Sequence, residues 1–201
     1  MRSVSLAVAA LVIGAFVLGR ISAQGIETSC LRCDADHVTA EEIGEYLRVA
    51  QAMSLTDQQV RSIDIGDAGV QIAFAHRGAL AEPLPNSVAE HDLVTEVYVV
   101  LSGSATNRTG PDLVDPVRRP ADNRAVRFLN GPGHNAADIR NAEVNELKTG
   151  DVLVIPAGTG HQFTRIDDHI SYLMVRIDPS KVVPLLDAEG SRAYLDANRG
   201  N

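Results

Sequence analysis

Tryptophan is missing from these 201 residues, and aromatic side chains make up only 4% of them. Few flat faces are left on which a nucleobase or a sugar could stack. Basic runs are absent beyond the first residues, and the formal net charge is −8. A surface that tracks phosphates needs clustered lysine and arginine, so the sequence argues against nucleic acid as a partner. Cysteine is scarce as well: Cys30 and Cys33 stand alone, in a C-x-x-C spacing. A thioredoxin-like redox pair needs a strand before it and a helix starting at it, and the residues before Cys30 do not supply that strand. Haem attachment needs a histidine straight after the second cysteine, where Asp34 stands. A zinc site from Cys30, Cys33 and His37 is one ligand short. In an oxidising compartment a local disulfide is the first expectation, a metal site the second and redox catalysis the third.

Long apolar runs are also lacking, with one exception at the start. Arg2 gives a positive beginning, Val4 to Leu18 carries no charge, and Ile21-Ser22-Ala23 ends in a small residue. This is the pattern of a signal peptide over residues 1–23, cleaved before Gln24. Its apolar run is short for a bilayer-spanning helix; an uncleaved N-terminal anchor is the alternative. An exported protein, periplasmic or secreted, is therefore expected, with no membrane contact beyond the leader.

What is present is an ordinary globular composition, 45% apolar and 22% charged, enough for one core. Thr39 and Glu42 form a capping-box pattern, and Ile43, Tyr46, Leu47 and Ala50 recur at helical spacing. A helix is expected over about residues 40–53, within an N-terminal extension of residues 24–58. From Val60 the period changes to two, and Gly66-Asp67-Ala68-Gly69 turns the chain into Val70 to Ala75, a hairpin. Further strands are expected at Thr95–Leu101, Glu143–Leu147, Asp151–Ile155, Gln162–Ile166 and Ile170–Ile177, each bounded by Gly, Pro or Asp. Residues 107–149 read as an insertion or lid, too long for a hairpin loop. A short helix is expected near Leu185 to Ala197, in a C-terminal tail of residues 179–201. Many short strands at even spacing indicate a closed barrel or sandwich.

Two segments carry the chemistry. One runs from His91 through Glu96 to Gly103; the other runs from Gly150 through Pro156 and Gly158 to His161. Imidazole nitrogen and carboxylate oxygen are ligands for divalent transition metals. Strand alternation puts Glu96, Tyr98 and Val100 on one face, and a lone glutamate on an inward face is costly unless paired. A metal would offset that cost.

These segments resemble the two motifs of the cupin superfamily. The second motif, G-x5-P-x-G-x2-H, is matched in full by Gly150, Pro156, Gly158 and His161, while its trailing Asn falls at Arg165. The first motif is matched in its second half by His91, Glu96 and Gly103; its first His falls at Ala89 and its leading Gly at Pro83. The resemblance implies an all-β, double-stranded β-helix or jelly-roll barrel with a short N-terminal helix, over residues 59–178. It also implies one divalent transition metal (Fe, Mn, Zn, Ni or Cu) held by His91, Glu96 and His161, and a homodimer. Two imidazoles and a carboxylate resemble the facial triad of non-haem iron enzymes, with positions open for substrate. The functional expectation is a metal-dependent enzyme on a small organic substrate: dioxygenase, decarboxylase, lyase or isomerase. The alternatives are a non-catalytic exported small-ligand binder and a structural cupin, or a decayed site in which His91 and Glu96 bond each other. His76 and His134 are candidates to reach the barrel mouth, and Tyr98 and His134 are the candidate catalytic side chains. Tyr98, Phe163, Tyr172 and Met174 fit the barrel interior by alternation.

Overall fold

A computed structural model of the chain describes residues 30, 33–53, 56–184 and 186–198. The leader expected over residues 1–23 lies outside the described residues. The chain divides into the units Met1–Arg32 and Cys33–Asn201, and the second holds all the helices and strands described. Neither cysteine is free; both are disulfide-bonded.

Helix α1 spans Ala40–Ala52, capped by the Thr39 side chain, which accepts from the Glu42 backbone N–H at 3.1 Å. Its apolar stripe, Tyr46, Val49 and Ala50, is buried. Strands β1 (Gln58–Asp64) and β2 (Gly69–Arg77) form the expected antiparallel hairpin. Tyr46 and Val49 pack on Val60, Phe74 and Leu195 in a cluster of their own, separate from the barrel core. Leu195 belongs to the C-terminal helix α3, Ala188–Asn198. The Tyr46 hydroxyl donates to the Ser191 carbonyl at 2.7 Å and ties the two helices together.

The barrel is built around one long strand. Strand β3 is Val88–His91, and β4 runs through all 16 residues from Thr95 to Gly110. Then come β5 (Leu113–Val114), β6 (Val117–Arg118), helix α2 (Arg124–Phe128), β7 (Gly133–Ala136) and β8 (Asp138–Ile139). Strands β9 (Glu143–Lys148), β10 (Val152–Ile155), β11 (Gly160–Arg165) and β12 (Ile170–Asp178) complete it. The hydrogen-bonded order is β1-β2-β12-β4-β11-β3-β7-β6, with β9 and β10 also on β4. The first half of β4 lies between β12 and β10; its second half lies between β9 and β11. All pairings are antiparallel, so β4 passes from one sheet of a jelly roll into the other.

Gly103 marks that passage. Its φ is +78°, and a Cβ there would lie 1.9 Å from the His169 carbonyl oxygen. Only glycine meets both demands. A shift in the β12 pairing between Ser171 and Tyr172 accompanies the passage, as bulges do where a strand changes sheet.

The expectation of an insertion or lid over residues 107–149 is corrected here. Ser102-Gly103 reads as a strand end, but the chain continues as strand to Gly110. Glu143–Lys148 then returns along Ser104–Thr109, and Gly133–Ala136 pairs with β3. Much of the segment is barrel wall. Within it, Arg124–Phe128 is helix α2.

The barrel interior is filled by side chains at alternate positions, including Ala73, Ala75, Val100 and Ile170. Tyr98, Phe163, Tyr172 and Met174 all lie there, as alternation required. Tyr98 and Tyr172 meet with ring centroids 4.4 Å apart, and Phe163 and Tyr172 at 5.7 Å. Contacts of this kind add about 1 kcal/mol each beyond burial.

Candidate metal centre

The two motif segments converge because of three local connections. Strand β10 lies against β4 with Ile155 opposite Glu96. The turn after it places Gly158 at φ +79°, and the Gly158 N–H donates to the His91 carbonyl at 2.8 Å. Strand β11 then runs beside β3 with His161 opposite Ala89. His91, Glu96 and His161 thereby meet at the inner wall, all buried, with one donor atom each inside a span of 4.8 Å.

The separations inside this cluster are informative. His91 Nε2 lies 3.6 Å from Glu96 Oε1, and His161 Nε2 lies 3.5 Å from Glu96 Oε2. Both are too long for hydrogen bonds. They match the roughly 3.3–3.6 Å edges of a tetrahedron whose ligands sit about 2.0–2.2 Å from a metal. Histidine tautomers follow from the far side of each ring. His161 Nδ1 donates to the Thr159 carbonyl at 3.3 Å, which leaves the Nε2 lone pair facing Glu96. His91 Nδ1 lies 3.2 Å from Arg119 Nη2. Arginine can only donate, so this contact puts the His91 hydrogen on Nε2. A metal at Nε2 needs the other tautomer, and hence a turn of the Arg119 guanidinium, which also donates to the Glu90 carbonyl.

Electrostatics set the charge states. Burial pushes His91 down to about 3, against the pull of Glu96 upward. Burial likewise lowers His161, again opposed by Glu96. For Glu96, burial alone would raise the carboxyl; His91, Arg176, His161 and the Tyr98 hydrogen bond outweigh it and bring it to about 2. At neutral pH the site therefore holds two neutral imidazoles and one carboxylate, the state in which these groups take a divalent cation. The donor set fits a metal, with Arg119 competing at His91.

One expectation about Glu96 is corrected. A metal is not what offsets its burial, because three donors already do. The Tyr98 hydroxyl donates to Oε2 at 2.8 Å, Asn130 Nδ2 to Oε1 at 2.6 Å and Arg176 Nε to Oε1 at 3.1 Å. Arg176 is itself fully buried and its Nη2 pairs with Asp57. Neither Asn130 nor Arg176 is part of the sequence expectation. Arg176 was legible: on Ile170–Asp178 it shares parity with the inward Tyr172 and Met174. Asn130 comes from the loop after α2, where no periodicity points to it.

The candidate residues divide cleanly. Tyr98 is in the site, on Glu96. His134 is not brought to it. Its Nδ1 lies 2.8 Å from Glu90 Oε2 and 3.5 Å from Asp92 Oδ1, and it lines neither cavity around His161. Strand alternation is the reason: Ala89 and His91 face the cavity, so Glu90 points to the opposite side, and His134 pairs opposite Glu90. His76 also stays away, bonded to Ser171 and stacked on His169.

Two cavities open on the cluster. A polar one of about 330 Å³ is lined by the three candidate ligands with Arg77, Arg119 and Asn130 among others. A more apolar one of about 250 Å³ is lined by Leu80, Leu84, Phe163 and Ile166 among others. Thr56, Arg77, Ala89, Tyr98 and His161 line both. Ala89, where the resemblance would place a histidine, thus leaves its space to the shared wall.

A two-sheet antiparallel barrel with both motif segments at one mouth is a jelly roll, the fold that the motif resemblance implies. No model of a known protein family matches the chain, and no curated protein matches it. Solved structures to which it is similar include a cupin protein from Bacteroides fragilis, 18% identical, covering 56% of this chain and 68% of that one, at a TM-score of 0.33. A Bacillus halodurans protein is 14% identical over 73% of this chain and 83% of its own, at 0.39. A structure of DMSP lyases is 21% identical over 53% of this chain and 37% of its own, at 0.30.

Proposed function

We propose that this chain is a metal-binding cupin that works as a metal-dependent enzyme on a small organic substrate, as a dioxygenase, decarboxylase, lyase or isomerase. The observation that carries the reading is the pair of separations of 3.5 and 3.6 Å from Glu96 to the two imidazoles. They are too long for hydrogen bonding and suited to a shared cation. A bound metal would supply Lewis acidity or oxygen activation. The chain's own residues supply the rest. His161 presents Nε2, oriented by Thr159; Tyr98, Asn130 and Arg176 fix the Glu96 carboxylate. The Tyr98 hydroxyl, burial of which pushes its pKa well up, stays protonated and can hand a hydrogen bond to a substrate oxygen when Glu96 turns to a cation. Ala89 leaves room at the cluster for that substrate.

The alternative is a non-catalytic small-ligand barrel. It is favoured by one fact: Glu96 is fully satisfied by protein donors before any metal arrives. Elemental analysis of the protein, purified without a metal-binding tag, separates the two. We expect about one equivalent of a transition metal, lost in His161→Ala. Wild-type protein that stays metal-free after incubation with Fe, Mn, Ni, Cu and Zn would leave the ligand-binding barrel. We also propose export, supported by the leader pattern and by two cysteines that are both disulfide-bonded, a state favoured in oxidising compartments.

A further inference from the structure

The polar cavity has the wrong charge for an acidic protein. The chain as a whole carries −8. The wall of this cavity nevertheless holds three arginines, Arg77, Arg119 and Arg124, against two carboxylates, Asp57 and Glu96. Both of those carboxylates are already bonded to a further arginine, Arg176. The inner mouth thus carries a positive excess.

Of the three arginines, Arg77 is the one that lines both cavities. It follows Ala73 and Ala75 at the same parity on β2, so it faces the barrel interior. Its Nε donates to the Tyr172 hydroxyl at 3.1 Å, and its guanidinium lies 5.2 Å from the Phe163 ring centroid. These contacts fix the plane of the group but bring no negative charge. Among the described residues it forms no ion pair with a carboxylate; Asp57 reaches it only as a longer-range charge and is taken by Arg176. Arg77 is half-buried, and a cation partly withdrawn from water without a counter-ion carries a cost. Tyr172 and Phe163 take up Nε and one ring face, so the terminal nitrogens are what remains for a ligand. Arg77 lines both cavities, so a group bound to it sits where they join. A guanidinium offers paired N–H donors matched to a carboxylate.

We propose that Arg77 anchors the carboxylate of a small organic acid. The apolar body of the acid lies against Leu80, Leu84, Phe163 and Ile166, and its other polar end reaches His91, Glu96 and His161. The substrate class is therefore a short amphipathic carboxylic acid, neither a cation nor a neutral sugar. This deepens the proposed function and rests on it for the reacting end, but the anchor itself acts with or without metal.

The test uses benzoate and hexanoate as probes, with benzamide and hexylammonium as size-matched neutral and cationic controls. Binding to the whole protein is measured by calorimetry, once after metal removal and once after reloading. Each carboxylate is expected to bind at least tenfold more tightly than its control. Arg77→Gln loses at least tenfold in carboxylate affinity, while its near-ultraviolet circular dichroism and metal content stay as in the wild type. Arg77→Lys retains part of the affinity, since it keeps the charge and loses the paired donors. Benzamide binding as tightly as benzoate would overturn the proposal, and so would full benzoate affinity in Arg77→Gln, which would move the anion site to Arg119 or Arg124. If Arg77→Gln does not fold, the wild-type discrimination and Arg77→Lys decide. Discrimination that persists in a protein taking up no metal sinks the metalloenzyme reading and keeps the anchor. Metal uptake without discrimination does the reverse.

Discussion

Strand β3 carries two clusters of the same chemistry on its two sides. Inward, His91 joins Glu96 and His161; outward, Glu90 joins Asp92 and His134. Each has imidazole and carboxylate groups within reach of one another, so composition alone ranks them equally. Their surroundings do not. The outer cluster is already closed by direct contact, with His134 at 2.8 Å from Glu90 and Arg118 at 2.6 Å from Asp92. Its Asp92 and His134 are partly open to water, which screens what they do, although Glu90 is buried. All three residues of the inner cluster are buried, its imidazoles are held off hydrogen-bonding distance from Glu96, and its carboxylate is fixed by three donors. Spacing and complete burial of all three donors, rather than residue type, separate a candidate metal centre from a closed ion pair.

The largest expected contrast is in stability. Glu96→Gln leaves buried Arg176 with Asp57 alone and should cost roughly 3 kcal/mol, as removal of one partner from a buried pair does. Asp92→Asn on the outer side should cost under about 1 kcal/mol. Urea melts of both variants check this, and equal losses would break the distinction between the clusters.

The next effect is on pH dependence. The folded state holds His91 at about 3, below the ordinary 6.5, and the unfolded chain takes up the proton first. Its contribution to stability is complete above about pH 6.5 and is lost as pH falls toward 3. Glu96, lowered to about 2, acts with the same sign below about pH 4.5. Between pH 7.5 and 5.0 the metal-free protein should lose about 2 kcal/mol through His91 alone. His91→Gln should flatten that stretch of the profile; an unchanged slope would show that the imidazole is not buried neutral.

Arg119 gives a smaller, opposite effect. Arg119→Met removes a donor that competes for His91 Nδ1 and a positive charge near the cation. Metal affinity should rise about tenfold, equivalent to about 1.4 kcal/mol, read by competition with a chelating dye. A fall in affinity would mean that Arg119 orients the ring for the metal instead. The smallest expected effect is none: His134→Ala should keep the metal content of the wild type. Loss of metal there would transfer the site to the outer cluster.

Legibility followed range along the chain. Helix α1 was expected over about 40–53 and is Ala40–Ala52, because its cap and stripe are local. The hairpin and the short strands were legible for the same reason, since alternation reports which face is buried. The three ligand candidates and Tyr98 could be read from motif spacing and strand parity. Gly103 was read as an end and is a crossing point, because its φ and its close approach to the His169 carbonyl depend on a strand far along the chain. The same strand alternation that brings Ala89 and His91 inward turns Glu90 away, and that took His134 out of the site.

By itself, then, the sequence determined a β-rich barrel or sandwich and the Thr39-capped helix, since periodicity, caps and turns act within a few residues; the jelly roll and the grouping of His91, Glu96 and His161 followed from the resemblance of its two motif segments. Only the tertiary structure decided that Arg176 and Asn130 satisfy Glu96, that Arg119 competes at His91 and that Arg77 faces two joined cavities without a counter-ion. Those are encounters between residues tens of positions apart, governed by burial and by the distances at which charges meet, and no local pattern encodes them.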